Sequence, residues 1–272
     1  MSTLVIEAGR SVRQYWKDIW RYRELFYILA WRDVAVRYKQ TVIGIVWAFL
    51  RPLLTMLIFA LVFGKIANLP SEGVPYTVYV FSGTLAWSFF SSAFSSATSS
   101  LVGNAHLVSK VYFPRLILPV ASVAVAMVDL LVSYFILLGL LAYYGLWPHW
   151  TMFALVPFTL IAAAFALGAG LLFGSLNVKY RDIGALIPFL IQVGTYASPV
   201  GYGSITIPEK YRPYYYLNPM AGVIDGFRWS VSGGQTQLDL KMLGVSCVVT
   251  LAFLLVGWYY FRQTERQFAD VI

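Results

Sequence analysis

The sequence predicts an all-α integral membrane protein with six transmembrane helices, and three observations support this. First, the 272 residues are 59% hydrophobic and only 12% charged, where an ordinary soluble domain carries about 25% charged residues. Second, residues 130–178 contain no Asp, Glu, Lys or Arg, and 73–109, 183–208 and 242–261 are also charge-free. Such runs accommodate helices of the roughly 20 apolar residues needed to cross a bilayer. Third, Lys and Arg are divided unequally among the connecting segments, as the positive-inside rule describes.

The elements follow in chain order. Residues 16–40 read as an amphipathic helix. On a helical wheel, Trp16, Trp20, Tyr27, Trp31, Val34 and Tyr38 share one arc, with Asp18, Arg21, Arg32 and Lys39 opposite. Leu25 and Ile28 interrupt the polar side. A Trp-rich face backed by basic residues suits a helix lying along the inner leaflet; packing against the protein itself or a partner is the other reading. The predicted spans are 42–64, 77–98, 116–143, 151–176, 184–203 and 242–261. Pro52 and Pro157 are candidate kinks in the first and fourth. Pro188 and Pro199 predict a broken fifth span. The N-terminal forty-one residues and the 99–115, 177–183 and tail segments hold fourteen Lys and Arg, against five on the other side. Both termini are therefore expected in the cytoplasm. Residues 1–41 form a cytoplasmic N-terminus, 42–272 the transmembrane domain, and the 204–241 loop faces outward.

Several function classes find no support. The formal charge of +8 lies mostly beside the first apolar segment, which fits membrane orientation better than nucleic-acid binding. One cysteine, Cys247, gives no intrachain disulfide framework. The apolar run beginning near Val42 is too late and too long for a signal peptide. The two histidines, His106 and His149, have no acidic or cysteine neighbour at metal-ligand spacing. No phosphate-binding Gly-rich loop is present.

Two charges fall at or near membrane depth, Arg51 and Asp129. An intramembrane charge is a functional candidate. Asp129 has three readings: a structural pair, a pore-lining group or a proton-coupling site in a secondary carrier. Arg51 is placed to snorkel toward the inner headgroups. Ser88, Ser92, Ser95 and Ser99 recur at helical spacing, and seven serines fall within 88–100. That stripe is either a helix-packing seam or the wall of a polar passage. In SSLVGNAHLVSKVYFPR, residues 99–115, Asn104 is a candidate cap for a short helix from 105 to about 111, and Pro114 a candidate stop. Val108, Val111 and Tyr112 are expected on one face, as a knob for a soluble partner or as an ordinary loop. Residues 211–222, YRPYYYLNPMAG, carry Tyr211, Tyr214, Tyr215 and Tyr216. These suit an interfacial aromatic belt or a short re-entrant mouth whose rings and hydroxyls meet sugar.

The ordered set RDVAVRYKQTVIGIVWAFLRPLL (32–54), FSGTLAWSFF (81–90), NAHLVSKVYFPRLILP (104–119), LNVKYRDIGALIPFLIQ (176–192), SPV (198–200) and LNPMAGVIDGFRW (217–229) resembles the membrane subunit of bacterial ABC-2 type polysaccharide exporters. Among these it looks most similar to O-antigen lipopolysaccharide export permeases. The resemblance covers nearly the whole chain and implies a homodimer of six-span subunits in the bacterial inner membrane, paired with two copies of a cytoplasmic ATPase. ATP and Mg2+ would bind the partner, and this chain would hold no cofactor or metal. The segment near 13–40 would be an interfacial gate helix. Asn104, Val108, Lys110, Tyr112, Phe113 and Pro114 would couple to the ATPase. The region 204–235 would form short periplasmic gate helices, with Tyr211, Tyr214, Tyr215, Tyr216, Asn218 and Pro219 at the gate. The substrate implied is an undecaprenyl-diphosphate-linked polysaccharide. Arg32, Arg37, Lys39 and Arg51 would recruit its pyrophosphate, and Ser88, Ser92, Ser95, Ser99 and Asp129 would line the channel. Capsule or teichoic acid export, small-solute or drug export, a carrier using Asp129 and a membrane scaffold are the alternatives.

Overall fold

A computed structural model describes residues 12–39 and 42–268, without the side chains of residues 12–14, 39, 42–49, 51 and 266. In chain order the helices are α1 (Val12–Arg21), α2 (Arg23–Lys39), α3 (Val42–Phe59), α4 (Tyr76–Gly103), α5 (Ala105–Lys110), α6 (Ile117–Tyr143), α7 (Leu155–Lys179), α8 (Asp182–Ala197), α9 (Arg212–Tyr215), α10 (Pro219–Val231) and α11 (Leu240–Thr264). No strand occurs among the described residues. α6, α11 and α7 with its leading turn from Trp150 are long and apolar enough to cross a membrane. Pro52–Ile66 and α8 are shorter apolar helices. The chain is an all-α, multi-pass membrane protein.

α4 lies at the centre, packed against α6 and α7 along its length and crossed by α10. Its 28 residues span about 42 Å at 1.5 Å per residue. The seam with α7 uses very small side chains. A Cβ on Gly170 would sit 2.6 Å from that of Ala97, and one on Gly174 would touch the Thr98 carbonyl. α7 and α11 approach still more closely: a Cβ on Gly257 would collide with the Gly168 carbonyl, and one on Gly168 would collide with the Leu254 backbone. Close backbone approach through small residues is how apolar helices associate where no hydrophobic force drives them together.

The helices alternate between two ends. Tyr15, the 104–116 loop and Glu265 meet at one, here the near end. The far end carries the 67–75 and 144–150 connections and residues 198–239. A smaller apolar cluster of Tyr15, Leu29, Leu101, Val108, Phe113, Leu171 and Phe261 closes the near end.

Several expectations need correction. The N-terminal helix is two helices, broken at Tyr22, although Tyr22 N–H still reaches Asp18 at 3.0 Å and Phe26 N–H reaches Tyr22 at 3.2 Å. The first apolar helix continues through a π-helical turn, Ala60–Ile66. α4 extends to Gly103, because nothing in its serine-rich second half breaks a helix. Pro157 lies in the first turn of α7, where a missing N–H has no intrahelical partner to lose. The fifth helix stops at Ala197, because Ser198 before Pro199 is extended (φ −101°, ψ 154°), as a residue before proline prefers. Pro199 therefore breaks nothing inside a helix, whereas Pro52 and Pro188 do lie inside theirs.

Candidate functional site

The serine stripe is the first element. α4 buries 18 of its 28 residues, and its phenylalanines and alanines all face the core. The serines do not. Ser88 and Ser99 are exposed, and Ser91, Ser92, Ser95 and Ser96 are half-buried. The helix-packing seam is built by Ala97, Gly170 and Gly174 instead. The stripe is thus an open polar face on the most buried of the long helices.

A cavity of about 540 Å³ adjoins that face, between α2, α4 and α6. Arg32, Asp33, Val36, Arg37, Ser96, Ser122 and Val125 line it. Its charges are already paired. Arg32 Nε donates to Asp33 Oδ1 at 2.8 Å, and Arg32 Nη2 donates to Asn104 Oδ1 at 3.0 Å. Arg37 Nη1 pairs with Asp129 Oδ2, and Tyr38 donates to Asp129 Oδ1 at 2.6 Å. Burial and the bonded carboxylate push the Tyr38 hydroxyl above its ordinary range, so it stays a donor. Two arginines against two aspartates leave little free positive charge for a pyrophosphate. The side chains of Lys39 and Arg51 lie outside those described. Asp129 sits twelve residues into α6, so α2 climbs along α6 by about 18 Å from its start, and the structural-pair reading accounts for the carboxylate.

On α1 and α2 the Trp-rich arc is open. Trp16, Trp20, Tyr27 and Trp31 are all more than half exposed. Tyr15 and Leu29 are buried, with Ile19, Tyr22 and Phe26 packed beside them. The segment therefore packs on its own chain along one face and leaves the Trp-rich face uncovered.

The 104–115 loop divides differently from its expected face. Val108, Phe113 and Pro114 are buried, whereas Lys110, Val111 and Tyr112 are exposed. Val108 and Phe113 anchor the loop and cannot touch a partner while the fold is intact. Asn104 makes no cap bond to α5. Its Nδ2 reaches back to the Ser100 carbonyl at 2.9 Å, which turns Oδ1 toward Arg32. α5 ends at Lys110, where Val111 becomes extended, so Pro114 is not what stops it.

At the far end the tyrosines separate into two pairs. Tyr211 is 55% and Tyr214 72% exposed, whereas Tyr216 is 5% exposed. Tyr215 is half-buried and donates to the Tyr202 hydroxyl at 2.9 Å. Tyr216 donates to Asp225 Oδ2, and Ser204 donates to Asp225 Oδ1 at 2.9 Å. Asn218 caps α10 by accepting from Met220 N–H at 3.1 Å, and its amide donates to Ser198 Oγ at 2.8 Å. Pro219 occupies the first position of α10, where its fixed φ suits the helix.

Residues 24–231 match the ABC-2 type transporter family. The chain belongs to that family. It is 26% identical over 250 residues to the O-antigen export system permease protein RfbA of Klebsiella pneumoniae, covering 92% of this chain and 95% of that protein. With the protein of the same name from Myxococcus xanthus it shares 26% over 258 residues, 94% of this chain and 98% of the relative. With the polysialic acid transport protein KpsM of Escherichia coli it shares 24% over 244 residues, 86% and 91% of the two chains. As an ABC-2 permease it is a transport subunit, not an enzyme. No group of three or more His, Cys, Asp or Glu able to hold a metal occurs among the described residues.

The permease also has two polar centres that its sequence did not single out. Arg228 is 2% exposed, although it was counted among the charges of an outer loop. Its guanidinium donates to three backbone carbonyls: Tyr79 at 3.3 Å, Tyr202 at 2.9 Å and Val200 at 3.0 Å. It also lies 3.9 Å from the Tyr79 ring centroid and 3.8 Å from Asp225. Burial pushes the Asp225 carboxyl above the usual carboxylate range, against the opposing pull of Arg228, Tyr216 and Ser204. The signal was available: an Asp and an Arg three apart in an otherwise uncharged helical stretch. The second centre is Glu265, buried at the near end. Its carboxylate accepts from Tyr15 at 3.2 Å, Arg115 N–H at 3.0 Å and Arg262 at 2.8 Å, and Arg115 also bonds its carbonyl. Two distant segments, carrying Tyr15 and Arg115, share this residue with the nearby Arg262.

Proposed function

We propose that this chain is the membrane subunit of an ATP-driven exporter that moves a lipid-diphosphate-linked polysaccharide of the O-antigen type outward across the bacterial inner membrane. It would act as a homodimer of six-span subunits, with both termini in the cytoplasm and two copies of a separate ATPase on that side. The observation that carries this reading is the uncovered serine face of α4. A core helix exposing one polar face suits the wall of a shared passage, where many weak contacts let a polymer advance without being trapped. Whole-length similarity to proteins named for O-antigen export supports the substrate class. Lys110, Val111 and Tyr112 would meet the ATPase, with Val108 and Phe113 as the loop's inner anchors. The open Trp stripe of α1 and α2 would rest on the inner leaflet. Tyr211 and Tyr214 would edge the outer mouth, and Tyr215 and Tyr216 would hold it in shape.

The test replaces Ser92 and Ser95 together by Leu in cells that make the lipid-linked glycan. Polymer should accumulate inside while permease abundance and dimer content stay normal. Normal surface polymer from the Leu pair would sink the passage reading. The similarity to the polysialic acid transport protein favours a second reading, export of an acidic capsule polymer. The composition of the surface glycan lost on deleting the gene separates the two.

A further inference from the structure

The connection between α6 and α7 reads YYGLWPHWTMF at residues 143–153, inside the 49-residue charge-free run. Its aromatics face outward: Tyr143 is 82%, Trp147 91%, Trp150 69% and Phe153 82% exposed. Two features fix them there. First, α6 ends in a tight glycine turn. Gly145 takes φ +68°, its N–H bonds the Ala142 carbonyl at 3.1 Å, and Leu146 N–H bonds that of Leu141 at 2.9 Å. This pair of bonds is the Schellman termination that glycine permits. Second, the inner side of the connection is pinned to α10, where the buried Thr151 hydroxyl donates to the Ser230 carbonyl at 2.8 Å.

The exposed rings are also continuous with the surfaces of two spans. Leu131, Phe135 and Leu138 form one exposed face of α6, and Val156 and Leu160 continue it on α7. We propose that this aromatic tip is a membrane-interface anchor, seated at headgroup depth in the leaflet at the far end. Indole and phenol rings favour that depth because their bodies are apolar and their N–H and O–H groups reach water. A lipid surface fits better than a glycan. A sugar site pairs aromatic faces with carboxylate, amide or guanidinium side chains, and this stretch contains none. Anchoring here holds the floor of α10 at a fixed depth.

The test uses the lone native cysteine. In a Cys247→Ser background, nitroxide labels are placed singly by Trp147→Cys, Trp150→Cys, Phe135→Cys and Gln235→Cys, and each protein is reconstituted in phosphatidylethanolamine–phosphatidylglycerol vesicles. Collision with lipid-soluble oxygen is compared with collision with a water-soluble nickel chelate. The ratio at 147 and 150 should fall between the deep value at 135 and the aqueous value at the exposed polar position 235, and several-fold above the latter. Ratios at 147 and 150 equal to that at 235 would overturn the anchor. Nickel access that added soluble polysaccharide blocks would overturn it too, in favour of a glycan platform. A label at 135 that reads deep confirms insertion of the labelled protein, so a negative result at the tip stays decisive.

Discussion

The two ends of the permease use similar charged groups in opposite ways. At the far end Arg228 and Asp225 are sealed, with side chains 2% and 9% exposed, and every bond they make ends on α4, the 198–204 segment or Tyr216. Near the cleft, the side chains of Arg37 and Asp129 are 41% and 30% exposed, and those of Arg32 and Asp33 47% and 37%. Desolvation makes the first arrangement costly to disturb, because no water replaces a lost partner. The second is partly exposed in the cleft, so its partners exchange at less cost. The far end holds one arrangement, and the cleft edge is suited to remaking its pairs.

Breaking the far-end pair should have the largest effect. Asp225→Ala leaves Arg228 buried without its counter-charge and should destabilise by about 3–5 kcal/mol, read as lost folded protein in detergent thermal unfolding. Arg228→Lys should be nearly as damaging, since one ammonium cannot span three carbonyls. Wild-type melting in either variant would remove the basis of the comparison. Splitting the tyrosine run sharpens it. Tyr216→Phe deletes a hydrogen bond to a buried carboxylate, at a cost of about 1.5–3 kcal/mol. Tyr214→Phe, on an exposed ring, should shift stability by less than about 0.5 kcal/mol. Equal shifts would mean the two hydroxyls share one environment. A small stability effect also belongs to the cleft. Arg37→Ala or Asp129→Ala should cost about 0–1 kcal/mol, with export falling further than stability. Exchanging the pair, Arg37→Asp with Asp129→Arg, should restore export. A swap no better than either single change would assign Arg37 a role beyond pairing.

The long helices were legible because their signal is collective: four charge-free runs leave few ways to satisfy a backbone in lipid other than helix. The fifth helix was overextended because hydropathy continues through Ser198 and Pro199 while backbone geometry does not. Side-chain roles were harder to read. Serine spacing located the stripe on α4, but only the Ala97–Gly170 contact shows that packing runs elsewhere. Val108, Val111 and Tyr112 were grouped by helical angle, yet the helix ends between them and their sides diverge. Asp129 was singled out by its depth, and its partner Arg37, 92 residues away, is a tertiary fact. Arg228 was read only as one charge of the outward loop, and a count of charges carries no sign that α10 turns it inward.

The contact of Gly168 with the α11 backbone has a mechanical consequence. Two helices that touch through main chain have no side-chain layer to shear, since sliding requires that packed side chains repack in small steps. α7 and α11 must therefore move as one body, and α4 moves with them through the Ala97–Gly170 contact. Relative motion is left to the lightly held elements, above all α8, with Ile187 its only buried residue. The glycines thus divide the permease into a stator and its moving parts.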